Sequence, residues 1–212
     1  MQRAATHAEP SWTKRPFDLV LSTLGLLFSA PLWPIIAAAI KLEDRGPVFY
    51  EQERWGRAGR IIRVRKFRTM LVGADARYGH VQARAQDPRV TRVGAVLRKT
   101  GMDELPQLLS IWLGHMSLVG PRALAVSESY HTADQRVLRY EDVPGFAERL
   151  TARPGLTGLA TIYLAKDAQP AERFRLDVEY VGCQSLMLDV KLVALSIWIS
   201  LRGRWEDRDG KL

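Results

Sequence analysis

The most uniform apolar run in the chain lies near its start. Phe17 to Ile40 carries one charged residue, Asp18. About two dozen residues at roughly 1.5 Å rise each are enough to cross the hydrocarbon of a bilayer as one helix. Lys14 and Arg15 precede the run, and Lys41 and Arg45 follow it. Positive flanks prefer the cytoplasmic side, so a straight span would leave one basic flank on the wrong face. Pro31 and Pro34 sit in the middle, where each removes a backbone donor and bends a helix. Ser29 can bond the backbone freed by that break. The pattern predicts a helix, a break and a second helix that enter and leave on one face. A simple span and a buried helix are the competing readings. A cleavable signal is disfavoured by the length of the run.

Beyond residue 43 the periodicity shortens. Val48–Gln52 and Ile61–Phe67 are β-branched and aromatic with partial alternation, and Gly56 and Gly59 between them predict a hairpin. Helices are expected over residues 69–85, 94–99 and 133–140. Another is expected from Asp103 as N-cap, with Pro106 in the first turn, to Leu113. Arg153-Pro154-Gly155 predicts a turn and 156–163 an extended piece. Pro170 opens a helix to about Tyr180. Leu186–Leu201 is an apolar helix interrupted by Asp189 and Lys191, suited to a membrane interface with Trp198 at headgroup depth. Leu105, Leu108, Leu109, Trp112 and Leu113 form an apolar face that packs either in a core or on headgroups. The expected fold class is α/β and helix-rich. It comprises a polar tail (1–13), a re-entrant membrane hairpin (14–42), a small cytosolic catalytic domain with short strands and interfacial amphipathic helices (43–202), and a polar C-terminal tail (203–212).

Composition narrows the chemistry. The chain has 212 residues, enough for one domain, and a formal net charge of +8, which points to anionic partners. The single cysteine, Cys183, excludes an internal disulfide, and the four histidines show no zinc spacing. Seven basic residues (Arg54, Arg57, Arg60, Arg63, Arg65, Lys66 and Arg68) fall within fifteen positions just after the apolar run. Most suit a solvated surface facing anionic lipid. Lys66, at a strand end beside Phe67, suits a cleft.

The Leu97–Gln107 segment places adjacent carboxylates, Asp103 and Glu104, five and six residues after Arg98. Acids at a helix N-terminus complement its dipole without any further role. The functional alternative splits their tasks: one is a nucleophile toward phosphorus, and the other holds Mg²⁺ with phosphate oxygens. Arg98 would neutralise phosphate charge. Gly120-Pro121 fixes a turn presenting Arg122. In Arg153–Leu159, glycines permit close backbone approach, and Arg153 can bind phosphate. Asp177, alone, reads as a surface acid.

Taken in order, Lys14–Asp18, Gly46–Phe49 with Gln52–Arg54, Lys66–Met70, Asp87–Thr91, Leu97–Gln107, Met116–Arg122 and Arg153–Leu159 resemble the bacterial monotopic phosphoglycosyl transferases, also called polyprenyl-phosphate sugar-1-phosphate transferases, of the small class. The resemblance implies a membrane helix broken at Ser29 and Pro31. It implies a two-step transfer in which Asp103 takes a phosphosugar from a UDP-sugar, releasing UMP, and passes it to undecaprenyl phosphate. That would be the first membrane step of bacterial glycoconjugate synthesis. Glu104 would bind Mg²⁺. Lys66, Arg98, Arg122 and Arg153 would contact phosphates, and Asp177, Thr157 and Gly158 would support nucleotide or metal. The expected location is the cytoplasmic face of the inner membrane, against anionic lipids. A homodimer is compatible with these motifs and not required by them. Ala123, Ala160, Thr161 and Cys183 depart from the family's usual residues while leaving the Asp-Glu pair intact. A non-enzymatic polyanion binder would explain the charge but not that pair, and nucleic acid is not an expected partner. A membrane scaffold is the third alternative.

Overall fold

A computed structural model describes residues 12–74, 87–127, 129–131, 137–165, 168–205, 207 and 211. The apolar run forms two helices, α1 (Lys14–Ser29) and α2 (Leu32–Asp44), bent by 57° at the break. Among the described residues no single helix is long and apolar enough to cross a membrane, but this bent pair is by length and composition. Pro31 stands at the N-cap of α2, where its missing N–H costs nothing. Ser29, buried, accepts a hydrogen bond from Trp33 Nε1 across the break (3.1 Å) and donates weakly to the Leu26 carbonyl. Val20, Leu24, Leu27, Phe28 and Ile35 are exposed, Phe28 over 79% of its surface.

The hairpin pairs β1 (Phe49–Trp55) with β2 (Ile61–Phe67) in antiparallel register, Tyr50 opposite Lys66 and Arg54 opposite Ile62. Phe49 stacks on Phe67 at 5.3 Å, and Trp33 meets both rings edge-on, which docks α2 on the hairpin. Glu43, at the end of α2, accepts from the N–H groups of Arg92 and Val93 at the start of α3 (Arg92–Thr100). Arg68 is buried, forks onto both oxygens of the half-buried Asp44, and holds the carbonyls of Pro47 and Met70. That ion pair keeps the Asp44 carboxyl below its usual range.

Four expectations are corrected. Residues 69–73 are not helical, because Met70 bridges Val90 and Thr91 N–H bonds the Thr69 carbonyl; residues 75–85 of the expected helix lie outside the described residues. The helix expected from Asp103 to Leu113 is divided. Met102–Glu104 is a 3₁₀ turn, and α4 begins at Gln107 (Gln107–Trp112). Pro106 has no N–H to bond back to Met102, so the turn cannot continue smoothly into α4. In the helix expected over 133–140, Val137–Arg139 is instead a strand, β5, paired antiparallel with β4 (Ser129–His131), and a 3₁₀ turn takes Tyr140–Asp142. The extended piece expected over 156–163 ends at Thr157. β6 is Gly155–Thr157, and α6 runs Leu159–Tyr163. Burial of Ala160 and Ile162 outweighs the strand preference of Thr161, Ile162 and Tyr163.

β3 (Ser117–Val119) pairs parallel with β6. Between them come α5 (Phe146–Arg149) and the β4–β5 ribbon. The contact of β3 and β6 needs glycine: a Cβ on Gly155 would lie 2.1 Å from Gly120 N, and one on Gly158 2.2 Å from Gly120 O. The last helices are α7 (Pro170–Cys183) and α8 (Leu186–Arg202). The main core joins Val64, Ile111, Met116, Val119, Ile162, Tyr180, Leu192 and Ile199, so hairpin, β3, α4, α6, α7 and α8 share one interior. The apolar face proposed for residues 105–113 is divided: Leu108 is buried and Leu105 packs on the core, while Leu109, Trp112 and Leu113 are exposed. α8 likewise buries Leu192 and Ile199 and exposes Met187, Val190, Ile197, Trp198 and Leu201.

Candidate active site

Tyr50, Gln52 and Arg54 share one face of β1, and Lys66 lies on the paired strand. Arg54 is half-buried, donating to the Ala123 carbonyl (2.6 Å) and to Gln52 Oε1 (2.8 Å). The 3₁₀ turn of Met102–Glu104 packs beside β2. It delivers Glu104 to Lys66, whose Nζ lies 2.5 Å from Oε1. Arg122, presented by the Gly120-Pro121 turn, reaches the same oxygen at 2.8 Å. Burial alone would raise the carboxyl pKa of Glu104. Arg122 and Lys66 outweigh that and hold it well below the usual carboxylate range. Burial, with help from Arg54 and Arg122, pushes the Lys66 ammonium down to about 8, although Glu104 beside it favours the charge.

Asp103 is half-buried beside Glu104. Both acids line an open cavity of about 1320 Å³. Lys66, Arg54, Arg98, Arg122 and Thr157 line it too, as do Leu21, Leu24, Phe28, Ser29 and Leu32 of the α1–α2 pair. One wall is therefore cationic and carboxylate-bearing, and another is apolar and formed by the bent helices.

Other expected site residues lie elsewhere. Asp177 is buried on α7, held by Arg149 through Nε (2.9 Å) and a terminal nitrogen (2.7 Å). That terminal nitrogen of Arg149 also donates to the Arg122 carbonyl (2.6 Å). Burial raises the Asp177 carboxyl, against the pull of Arg149. Asp177 thus reaches the Arg122 backbone, on the cavity wall, through Arg149. The Arg153 side chain does not line the cavity; burial and then Arg15 and Arg57 depress its pKa. Gly158 is at the β3–β6 contact, and its Thr157 neighbour accepts from Ser196 Oγ at 2.6 Å. Pro31 caps α2 outside the cavity lining, where Ser29 stands.

Sequence reading missed Arg54, counted there with the solvated arginines, and Arg149. Strand alternation carries the signal for Arg54: it shares the parity of Tyr50 and Gln52, on the face of Lys66. Arg149 has no local signal, because its partners are 27 and 28 residues away.

Among the described residues no group of three or more His, Cys, Asp or Glu is placed to hold a metal by itself. Mg²⁺ commonly binds through one or two carboxylates, with substrate phosphates and water completing its shell. Glu104 fits that partial role, since Lys66 and Arg122 both contact Oε1 and neither takes Oε2.

A helix-rich α/β fold with an N-terminal bent helix pair and a carboxylate pair among cations defines a candidate transferase of phosphorylated groups. The sequence profile of the bacterial sugar transferase family matches residues 9–203, and the chain belongs to that family. It is 40% identical over 185 residues to the exopolysaccharide production protein PSS of Rhizobium leguminosarum bv. phaseoli, covering 85% of this chain and 90% of that protein. It is 40% identical over 190 residues to a UDP-glucose:undecaprenyl-phosphate glucose-1-phosphate transferase of Escherichia coli, covering 87% of this chain but 39% of that protein. The protein of the same description from Caulobacter vibrioides is 39% identical, with 87% and 68% covered.

Proposed function

We propose that the protein transfers a sugar-1-phosphate from a UDP-sugar to undecaprenyl phosphate, in exopolysaccharide synthesis, at the cytoplasmic face of the inner membrane. The family, the relatives' named activities and the meeting of an apolar wall with a carboxylate-cation wall support this reading. The observation that carries it is the cavity lined at once by Asp103, Glu104, Lys66 and Arg122 and by Leu21, Leu24, Phe28 and Leu32. One substrate is a soluble phosphate ester and the other a lipid phosphate, and the two walls suit them in turn.

In the first step an Asp103 carboxylate oxygen attacks the donor's β-phosphorus. The bond from that phosphorus to the bridging oxygen breaks, and UMP leaves with the electron pair. In the second step an oxygen of the polyprenyl phosphate attacks the same phosphorus, and the acyl-phosphate bond to Asp103 breaks, regenerating the carboxylate. Lys66, Arg98 and Arg122 stabilise charge on the phosphates, at a site where Arg54 adds to the field. Mg²⁺, held by Glu104 with phosphate oxygens, would supply further neutralisation of charge. Arg149, fixed by Asp177, holds the backbone of Arg122 in place. The bent α1–α2 pair enters and leaves one leaflet, with its outward apolar residues in lipid. The exposed apolar residues of α4 and α8 rest on the same surface, since patches of that kind mark interaction or membrane sites.

The deciding experiment incubates the protein, in detergent or in anionic vesicles, with UDP-sugar and Mg²⁺ but no acceptor, then digests it. A phosphosugar adduct on the Asp103 peptide is expected, with one UMP per adduct. UMP release that needs acceptor and leaves no adduct would replace the covalent route with direct transfer. The hairpin has a separate test in a Cys183→Ser background. Cysteines at Trp12 and Arg45 should label from the same face of sealed vesicles, and labelling from opposite faces would establish a span instead.

A further inference from the structure

The 3₁₀ turn carrying Asp103 is joined to α3 by Gly101, whose φ is +73°. Glycine enters this left-handed region without a Cβ penalty, and a single turn of 3₁₀ helix is weakly bonded within itself. Its orientation therefore depends on what packs against it. The indole of Trp205 lies directly on Gly101, where a Cβ would meet Nε1 at 2.9 Å and Cδ1 at 3.0 Å.

The indole is anchored on several sides. Gly203, at φ +63°, ends α8 and turns the chain, and Arg204 N–H bonds back to the Ile199 carbonyl (3.1 Å). Trp205 N–H then donates to the Lys99 carbonyl in the last turn of α3 (3.2 Å), and Nε1 donates to Ser200 Oγ (2.8 Å). Lys211 Nζ lies 5.8 Å from the ring centroid and donates to the Thr161 and Leu164 carbonyls (2.6 and 3.0 Å). Gly101, Ser200, Trp205 and Lys211 line the same cavity as Asp103. The family profile ends at residue 203, so Trp205 and Lys211 lie just beyond the matched region.

We infer that Trp205 is a positioning residue for the Asp103 turn. Seated on Gly101 and tied to both α3 and α8, the indole sets where Asp103 stands in the cavity. The inference rests on Asp103 being the group that accepts phosphorus. A displacement of about 1 Å from attack geometry is enough to cost on the order of 10²-fold in rate.

The test compares the wild-type full chain with Trp205→Ala, Trp205→Phe and Ser200→Ala, by hydrogen exchange and by UMP release. In Trp205→Ala, amides of residues 99–105 should exchange about tenfold faster while those of β1, β2 and α7 stay unchanged, a local opening. Its kcat should fall roughly 30-fold with the donor KM within about twofold, the mark of lost alignment rather than lost binding. Trp205→Phe, which keeps a ring on Gly101, should recover most of both effects. Ser200→Ala, which keeps the indole and removes its acceptor, should raise exchange at 99–105 by about threefold and nowhere else. Unchanged exchange and rate in Trp205→Ala would overturn the inference. So would a rise in exchange spread evenly over the chain, or a failure of phenylalanine to restore the rate. Wild-type protein that releases no UMP would end the transferase reading while the exchange comparison still judged the clamp.

Discussion

Two carboxylates in this molecule sit against a lysine at the same distance, and they have opposite surroundings. Glu104 Oε1 lies 2.5 Å from Lys66 Nζ, and Asp189 Oδ2 lies 2.5 Å from Lys14 Nζ. Around Asp189 the protein closes. Tyr180 donates to its other oxygen (2.7 Å), and the pair joins α1 to α8 in the interior. Burial, then Asp189, pushes the Tyr180 phenol far above its usual range, so it stays a donor at every working pH. Around Glu104 a cavity opens, with a second cation, Arg122, on the same oxygen. The same contact therefore serves as a fastening in one place and as a charge balance open to ligand in the other. A sealed pair has no room for an additional anion. A pair on a cavity wall, with two cations on one oxygen, keeps positive charge within reach of phosphate.

The sharpest way to break this comparison is to remove an acid from each region. Asp103→Asn should cut UMP release by about 10⁴-fold, as loss of a nucleophile does, with the melting temperature unchanged. Asp189→Ala should cost roughly 3–5 kcal/mol by stranding the Lys14 charge. That corresponds to a fall in Tm of about 6–20 °C at this chain length, while the rate per folded molecule is preserved. If the two variants behaved alike, the distinction between the regions would be wrong.

Glu104→Gln comes next. Release of UMP should slow by about 10²-fold and the response to added Mg²⁺ should flatten, read by titrating the metal at fixed donor. The third test is pH. Lys66 is charged below a pKa of about 8 and neutral above it. If its charge holds phosphate, kcat/KM should decline as pH rises through about 8, and Lys66→Arg should carry the plateau to higher pH because guanidinium stays protonated. The smallest effect belongs to the hairpin. Ser29→Ala removes the acceptor for Trp33 Nε1 and should lower stability by about 1 kcal/mol, measured by denaturant midpoint.

The break at Ser29–Leu32 was legible in the sequence because prolines act locally and basic flanks constrain both ends of the run. The β1–β2 hairpin was legible because its strands run a full seven residues each, long enough for alternation to show. Asp103, Glu104, Lys66 and Arg122 were picked out by their motifs, and the meeting of Lys66 and Arg122 on one Glu104 oxygen came only with the fold. What escaped were elements too short to display a period, such as three-residue β5 and five-residue α6. Long-range pairs escaped as well: nothing beside Lys14 announces Asp189, and nothing beside Arg149 announces the Arg122 carbonyl. Trp205 fell in a stretch expected to be a polar tail. Its role rests on a single glycine over a hundred positions earlier.

The fastening of Lys14 to Asp189 also has a history within each molecule. The two residues are 175 positions apart. A ribosome adding about 5–20 residues per second delivers the acid roughly 10–35 s after the lysine. Through that interval the first helix carries an ammonium whose final partner has not yet been made, and water or other polar groups must keep it solvated. This one fastening at the base of the first helix therefore forms only after Asp189 has emerged.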